Sequence, residues 1–182
     1  MKSFRRVFRV IISLLMVGIL VFAGYNIAMK YIYPDDYVDI AKRYANEYNV
    51  QWELVMAVIS CESGFDPEAV SERDAYGLMQ LTEETFLDVR KKLGDSDSIT
   101  FETHVTDPSI NIKYGTWYLR FLLDYFDGDK IAAIAAYNAG LSNVKKWLGQ
   151  NGRLETDEIQ FRETKIYVKN VLKAEEHYQN EK

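Results

Sequence analysis

The stretch Ile59-Ser-Cys-Glu-Ser-Gly-Phe-Asp-Pro-Glu-Ala-Val-Ser71 closes an apolar run on a charge. Leu54, Val55, Val58 and Ile59 line one face at helical spacing. Glu62 continues that face, because Val55, Val58, Ile59 and Glu62 stand at i, i+3, i+4 and i+7. Gly64 and Pro67 then stop the helix. A carboxylate thus sits on the core face of a helix, in its last turn. Partial burial and the negative end of the helix dipole both disfavour the anion and raise its pKa. A general acid working near neutral pH needs that shift. Taken alone, the stretch fits a buried Glu paired with an Arg or Lys equally well.

Every other strong pattern is also helical. Tyr37, Ile40, Ala41, Tyr44, Ala45 and Tyr48 form an amphipathic helix, for which Asp35 or Asp36 is the expected cap. Thr82 is the expected N-cap of a third helix, with Glu83 and Glu84 in its first turn and Gly94 closing it. Residues 95–106 read as a polar loop. Asp107-Pro108 reads as an N-cap followed by an N1 proline, and Tyr114, Trp117, Tyr118, Phe121, Leu122 and Tyr125 mark the face of the helix it opens. A short Ala-rich helix from Ile131 to about Tyr137 ends at Gly140, another covers Ser142–Leu148, and a last runs from about Arg162 to Tyr178. No useful length of alternating pattern occurs, so the expected fold class is all-α.

Composition narrows the function. Thirteen Tyr, nine Phe and three Trp in 182 residues support a packed core rather than a disordered chain. Residues 1–30 carry five basic residues (Lys2, Arg5, Arg6, Arg9 and Lys30) and no acidic ones, leaving 17 basic against 27 acidic residues beyond them. That balance argues against a nucleic-acid partner, since no basic stripe is available to neutralise phosphates. Cys61 is the only cysteine, which excludes an internal disulfide, and it reads as a small buried hydrophobe. With one Cys and two His (His104 and His177), neither a metal site nor a cofactor is expected.

Val10 to Met29 runs without a charge. About 20 such residues match a bilayer core, whereas a cleaved signal has a shorter apolar region. The expected organisation is a basic cytoplasmic segment (1–9), a transmembrane signal-anchor (10–30), a short linker (31–36) and one domain (37–182). Basic residues before the span place the N-terminus in the cytoplasm and the domain outside the cytoplasmic membrane. Cleavage after Ala23 is the alternative, and it would release the domain as a secreted protein.

Three further segments carry polar groups into apolar surroundings: Gly77-Leu-Met-Gln-Leu81, Ala135-Ala-Tyr-Asn-Ala-Gly140 and Phe161-Arg-Glu-Thr-Lys165. Each is weak by itself. With Asn111-Ile-Lys-Tyr-Gly115 and Tyr118-Leu119, and in this order after Glu62-Ser-Gly-Phe-Asp-Pro67, they resemble the catalytic domain of soluble lytic transglycosylases, the lysozyme-like family 23 glycosidases. The resemblance extends from about Tyr37 to Leu172. It implies a lysozyme-like helical domain that acts on peptidoglycan glycan strands. The implied reaction cleaves the β-1,4 bond between N-acetylmuramic acid and N-acetylglucosamine and leaves a 1,6-anhydromuramoyl end.

The resemblance makes Glu62 the sole catalytic carboxylate. It assigns Ser71, Gln80, Tyr137, Asn138 and Glu163 to the substrate cleft, with Met79 as an apolar wall. Ser71 and Gln80 would hold the sugar, while Tyr137 and Glu163 would orient Glu62 and the substrate. The remaining aromatics, Trp117, Tyr118 and Trp147, read as core. Three positions depart from the family pattern: Asp74 and Glu83 stand where a glycine and a proline are usual, and Lys165 replaces an arginine. Asp tolerates left-handed backbone better than most residues, so the first departure is survivable. Two other readings stay open. One is a hydrolysing muramidase using Asp66 or Asp74 to position water; the other is a wall-binding subunit without activity.

Overall fold

The computed structural model describes residues 2–149 and 151–180, and the chain divides into two compact units, one up to Asp35 and one from Asp36 onward. The first holds a single helix, α1 (Lys2–Ile32). Its stretch Ile11–Ile32 is long and apolar enough to cross a membrane. Leu14, Leu20 and Phe22 each expose about two-thirds of their surface, a degree of apolar exposure that marks an interaction surface.

The second unit is built from α2 (Val38–Tyr48), α3 (Trp52–Glu62), α4 (Glu83–Leu93), α5 (Phe101–His104), α6 (Pro108–Tyr125), α7 (Lys130–Ala139), α8 (Leu141–Trp147) and α9 (Arg162–Asn180). At its centre α3 is buried without interruption from Glu53 to Ile59, as expected of a helix enclosed on all sides. Helix α3 packs on α9 and α2, α6 on α2 and α7, and α7 on α9 and α8. Leu81, Phe86, Val89, Val105 and Tyr114 form a second apolar cluster beneath α4 and α6.

Local chemistry sets the helix ends. Thr82 Oγ1 accepts from the Thr85 amide at 3.3 Å, and Gly94 closes α4 in left-handed backbone at φ 69°. Asp107 Oδ1 accepts from the Ile110 amide at 2.9 Å, ahead of Pro108 at the start of α6. Asp129, not singled out in the sequence, caps α7 through Ala132 and also accepts from the Leu154 amide at 2.8 Å. One carboxylate thereby pins the chain returning after α8 to the start of α7.

Three expectations are corrected. Neither Asp35 nor Asp36 caps α2: Tyr37 holds that position in left-handed backbone (φ 66°), and its carbonyl accepts the first helical bond from the Ala41 amide. Within 95–106 a helical turn, α5, interrupts the loop, because Phe101 packs edge-on to both Tyr76 and Phe86 at 5.3 and 5.6 Å. An antiparallel hairpin of two-residue strands, β1 (Ala75–Tyr76) and β2 (Leu81–Thr82), joins α3 to α4. Strands this short have no period for sequence reading to detect.

The Gly77–Gln80 turn of that hairpin is fastened from α6. Fully buried Asn111 accepts from the Met79 amide at 2.7 Å and donates to the carbonyls of Tyr76 and Val105 at 3.0 and 2.6 Å. Gly77, at φ 77°, lets Asn111 approach, since a Cβ there would lie 2.4 Å from its Nδ2. One turn further along α6, a Cβ on Gly115 would lie 2.7 Å from Met79 Cβ and 2.4 Å from its sulfur. Gly115→Ala is therefore expected to destabilise the domain by about 1–3 kcal/mol, the usual range for overpacking. Urea unfolding followed by tryptophan fluorescence checks this; an unchanged midpoint would show that Met79 yields without cost.

Candidate active site

Glu62 is the last residue of α3, and the chain breaks sharply after it. Gly64 and Phe65 are both left-handed, at φ 59° and 70°. The Ser63 hydroxyl lies 2.9 Å from the Leu78 carbonyl, where it donates, and it accepts from the Phe65 amide at 3.1 Å. The helix end that carries Glu62 is thus stapled to the turn that carries Gln80. That staple gives the Glu-Ser pair a structural reason.

Glu62 opens into a cleft of about 500 Å³. Ser71, Gln80, Tyr137, Asn138 and Glu163 also line it, so the fold gathers five of the six expected substrate residues around the acid. Met79 is the exception. Its side chain is fully buried against Gly115 and the Thr116 hydroxyl, and only its backbone faces a site residue. Leu78 and Met79 are both fully buried, and Gln80, in left-handed backbone, is the residue of the turn that lines the cleft. Glu72, Arg73, Ala75 and Thr82 line the cleft without having been expected there. Asp66 and Asp74 do not line it.

Glu62 Oε1 accepts a 2.6 Å hydrogen bond from the Tyr167 hydroxyl. Burial pushes the Glu62 carboxyl up to about 7, and the Tyr167 bond opposes that rise. The acid therefore keeps its proton much closer to neutral pH than an ordinary carboxyl does. Burial, and then the charge of Glu62, hold the phenols of Tyr167 and Tyr137 well above their ordinary value, so both remain donors. Burial likewise pushes the Cys61 thiol up to about 12, which leaves it inert as a nucleophile.

The tyrosine that orients Glu62 is Tyr167, not Tyr137. Tyr137 donates to the Met79 carbonyl at 2.9 Å and packs against Tyr118 at 5.5 Å, so it supports the turn and forms a wall of the cleft. Tyr167 lies on the buried face of α9, and a hydroxyl on a buried ring leaves no trace in the periodicity. It stands two residues beyond the segment Phe161-Arg-Glu-Thr-Lys165.

Each remaining side chain is fixed by its neighbours. Gln80 is left-handed at φ 48°, a backbone held at some cost, and its amide nitrogen donates to the Ala69 and Gly77 carbonyls at 3.1 and 3.0 Å. Its amide oxygen is thereby left for a ligand. Ser71 Oγ accepts from the amides of Arg73 and Ala75, shaping the rim loop, with its proton still to give. Asp74 occupies left-handed backbone at φ 54°, the conformation its replacement of a glycine requires. Asn138 Oδ1 accepts from the Thr164 hydroxyl at 2.7 Å, tying α7 to α9. Glu163 meets Arg73 across the cleft at 3.4 Å. Trp147 is buried as expected, while Trp117 and Tyr118 are only half-buried. Among the described residues, no group of three or more Asp, Glu, His and Cys is placed to hold a metal.

Tyr167→Phe removes the one interaction that lowers the Glu62 pKa. The alkaline limb of activity is then expected to move to higher pH. Below that limb kcat is expected to fall about tenfold, the loss typical of a hydrogen bond to a charged group, with KM unchanged. A pH–rate profile of the variant checks this, and an unmoved limb would separate Tyr167 from the acid.

The domain is helical and holds one half-buried carboxyl, raised towards neutral pH, in an open, polar cleft. The transglycosylase SLT domain family matches residues 39–160, and the chain belongs to that family. It is 34% identical over 151 residues to the soluble lytic murein transglycosylase of Escherichia coli K12, covering 80% of this chain and 23% of that protein. It is 35% identical over 116 residues to the membrane-bound lytic murein transglycosylase C of Yersinia enterocolitica, covering 59% of this chain and 32% of that one. Among solved structures, an inactive mutant of lytic transglycosylase Slt from Pseudomonas aeruginosa superposes with a TM-score of 0.78 at 30% identity, over 84% of this chain and 25% of that one. The 70 kDa soluble lytic transglycosylase of E. coli superposes with a TM-score of 0.75 at 34% identity, over 81% of this chain and 25% of that one. The chain thus spans about a quarter of the length of the soluble relatives it matches.

Proposed function

We propose that the domain beginning at Asp36 is a peptidoglycan lytic transglycosylase, with Glu62 as its single acid and base. One observation carries this reading: the Glu62 carboxyl, raised to about 7, opens into the cleft while Tyr167 fixes its direction. Protonated Glu62 gives its proton to the glycosidic oxygen. The bond from that oxygen to C1 of N-acetylmuramic acid breaks, and N-acetylglucosamine leaves with a free 4-hydroxyl. The resulting carboxylate then takes the proton of the muramoyl C6 hydroxyl, whose oxygen bonds to C1. No water is consumed, and Glu62 ends protonated as it began.

A pKa near the working pH suits a group that must both give and take a proton. The substrate's own N-acetyl group can stabilise C1 between the two steps, which makes this an exception to the usual pairing of two carboxylates. Glu72 and Glu163 also line the cleft, but both stand exposed at its rim. In this reading the Gln80 amide oxygen accepts the N-acetyl N–H, and Ser71 and Asn138 bond sugar hydroxyls.

The apolar helix Ile11–Ile32 supports a membrane anchor, as does the name of the Yersinia relative. Arg5, Arg6 and Arg9 ahead of that stretch favour a cytoplasmic N-terminus and an extracytoplasmic domain. Tethering by such an anchor supplies the local concentration that an acidic domain does not gain from electrostatic attraction.

The test is release of soluble fragments from purified peptidoglycan by the detergent-solubilised chain. Progressive release supports an enzyme. Strand binding without release would establish the wall-binding alternative instead.

A further inference from the structure

We propose that Arg73 is a specificity-determining residue that recognises a carboxylate on the glycan strand, exchanging its bond to Glu163 for one to the substrate. The proposal rests on the transglycosylase reading and deepens it. Among the described residues that line the catalytic cleft, Arg73 is the only cation, against Glu62, Glu72 and Glu163. An acidic cleft repels an anionic strand, so the one guanidinium within it decides where a carboxylate can sit.

The placement of Arg73 suits that role. Its backbone is fixed, because its amide donates to Ser71 Oγ at 3.3 Å in a loop that Ala75 also bonds. Among the described residues its guanidinium is held only by Glu163, at 3.4 Å, with 73% of the Arg73 side chain and 70% of the Glu163 side chain exposed. An ion pair so long and so open is worth little, and exchanging it for a substrate carboxylate costs little. A bidentate carboxylate is moreover the partner that guanidinium geometry favours.

The pair also stands where a strand must pass. Arg73, Asn138 and Glu163 line both the catalytic cleft and a neighbouring hollow of about 490 Å³, which Asn143, Gln160 and Phe161 complete. Both members of the pair border both spaces, so a strand running from one to the other meets Arg73. Glu163, once released, becomes an acceptor for a sugar hydroxyl. The substrate chemistry is a carboxylate beside the muramoyl sugar. It has two sources, a peptide stem or the lactyl group left when the stem is removed.

The test measures binding and turnover on three strand preparations: with stems, with stems removed, and with all carboxylates converted to amides. Binding is read in the Glu62→Gln chain and turnover in the chain with Glu62 intact. With Arg73 present, acidic strands are expected to bind about three- to tenfold more tightly than amidated ones, the yield of one exposed charge pair. Arg73→Gln is expected to abolish that preference, with the loss falling mainly on KM rather than kcat, and Arg73→Lys to restore part of it. Whichever acidic preparation loses affinity in Arg73→Gln identifies the source. Arg162 lines the neighbouring hollow and is the competing cation. The proposal is overturned if Arg73→Gln keeps the preference, if Arg162→Gln removes it instead, or if the wild-type chain shows none. Binding preference without any cleavage would sink the catalytic reading and leave Arg73 recognition standing.

Discussion

Glu62→Gln is expected to lower the rate of strand cleavage by a factor of about 10³, within the range for loss of a positioned acid–base group. The loss is large because both steps use the same carboxyl. A glutamine can neither give the proton that frees the leaving sugar nor take the one from the C6 hydroxyl. The substitution barely changes shape, and the amide oxygen still accepts from Tyr167, so strand affinity is expected to stay within about twofold, a few tenths of a kcal/mol. Turnover on purified peptidoglycan and strand binding, measured on the same preparation, check both halves. Undiminished cleavage would remove Glu62 from the chemistry, and lost affinity would show that the change disturbed the cleft.

The same variant is expected to be more stable than the wild type above pH 7. Burial raises the folded-state pKa of Glu62 from the ordinary 4.5 to about 7. Below 4.5 the carboxyl is neutral in folded and unfolded chains alike, and its stabilising contribution is fully present. Between the two values the folded chain holds a proton that the unfolded chain has released, so stability falls as pH rises; above 7 the loss is complete. A shift of this size corresponds to about 3 kcal/mol. Glutamine does not titrate, so the gap between variant and wild type opens from pH 4.5 and levels off above 7. Trp52, Trp117 and Trp147 all lie in the unit beyond Asp36, so denaturant unfolding read by their fluorescence reports on this domain. A pH-independent gap would mean that Glu62 is not a desolvated acid. The predicted trade of stability for activity is the usual mark of a functional group held where the core would prefer none.

Sequence reading found the helices and most of their ends because caps and stops act within one turn. Thr82, Asp107, Gly94 and Gly140 lie beside the groups they serve. Glu62 stood out for the same local reason, as a charge on an apolar face. The bond from Tyr167 spans 105 residues, and the staple from Ser63 to Leu78 spans 15. Neither separation leaves a pattern along the chain. The segments Gly77–Leu81 and Asn111–Gly115 were each legible as motifs, but only the fold shows why they occur together: Asn111 bonds the turn and Gly115 makes room for Met79. Met79 was misplaced because it lies in a turn bounded by left-handed Gly77 and Gln80, where no helix or strand period decides inside from outside. Arg73 went unremarked because a single exposed arginine in a loop carries no signal until Glu163 stands opposite it.

In the proposed reaction the muramoyl C6 hydroxyl, not water, attacks C1. Digesting purified strands in water labelled with heavy oxygen, and weighing the new ends by mass spectrometry, tests it directly. Anhydro ends are expected, lighter than reducing ends by one water and free of label. Reducing ends that carry the heavy oxygen would contradict it and establish a hydrolysing muramidase.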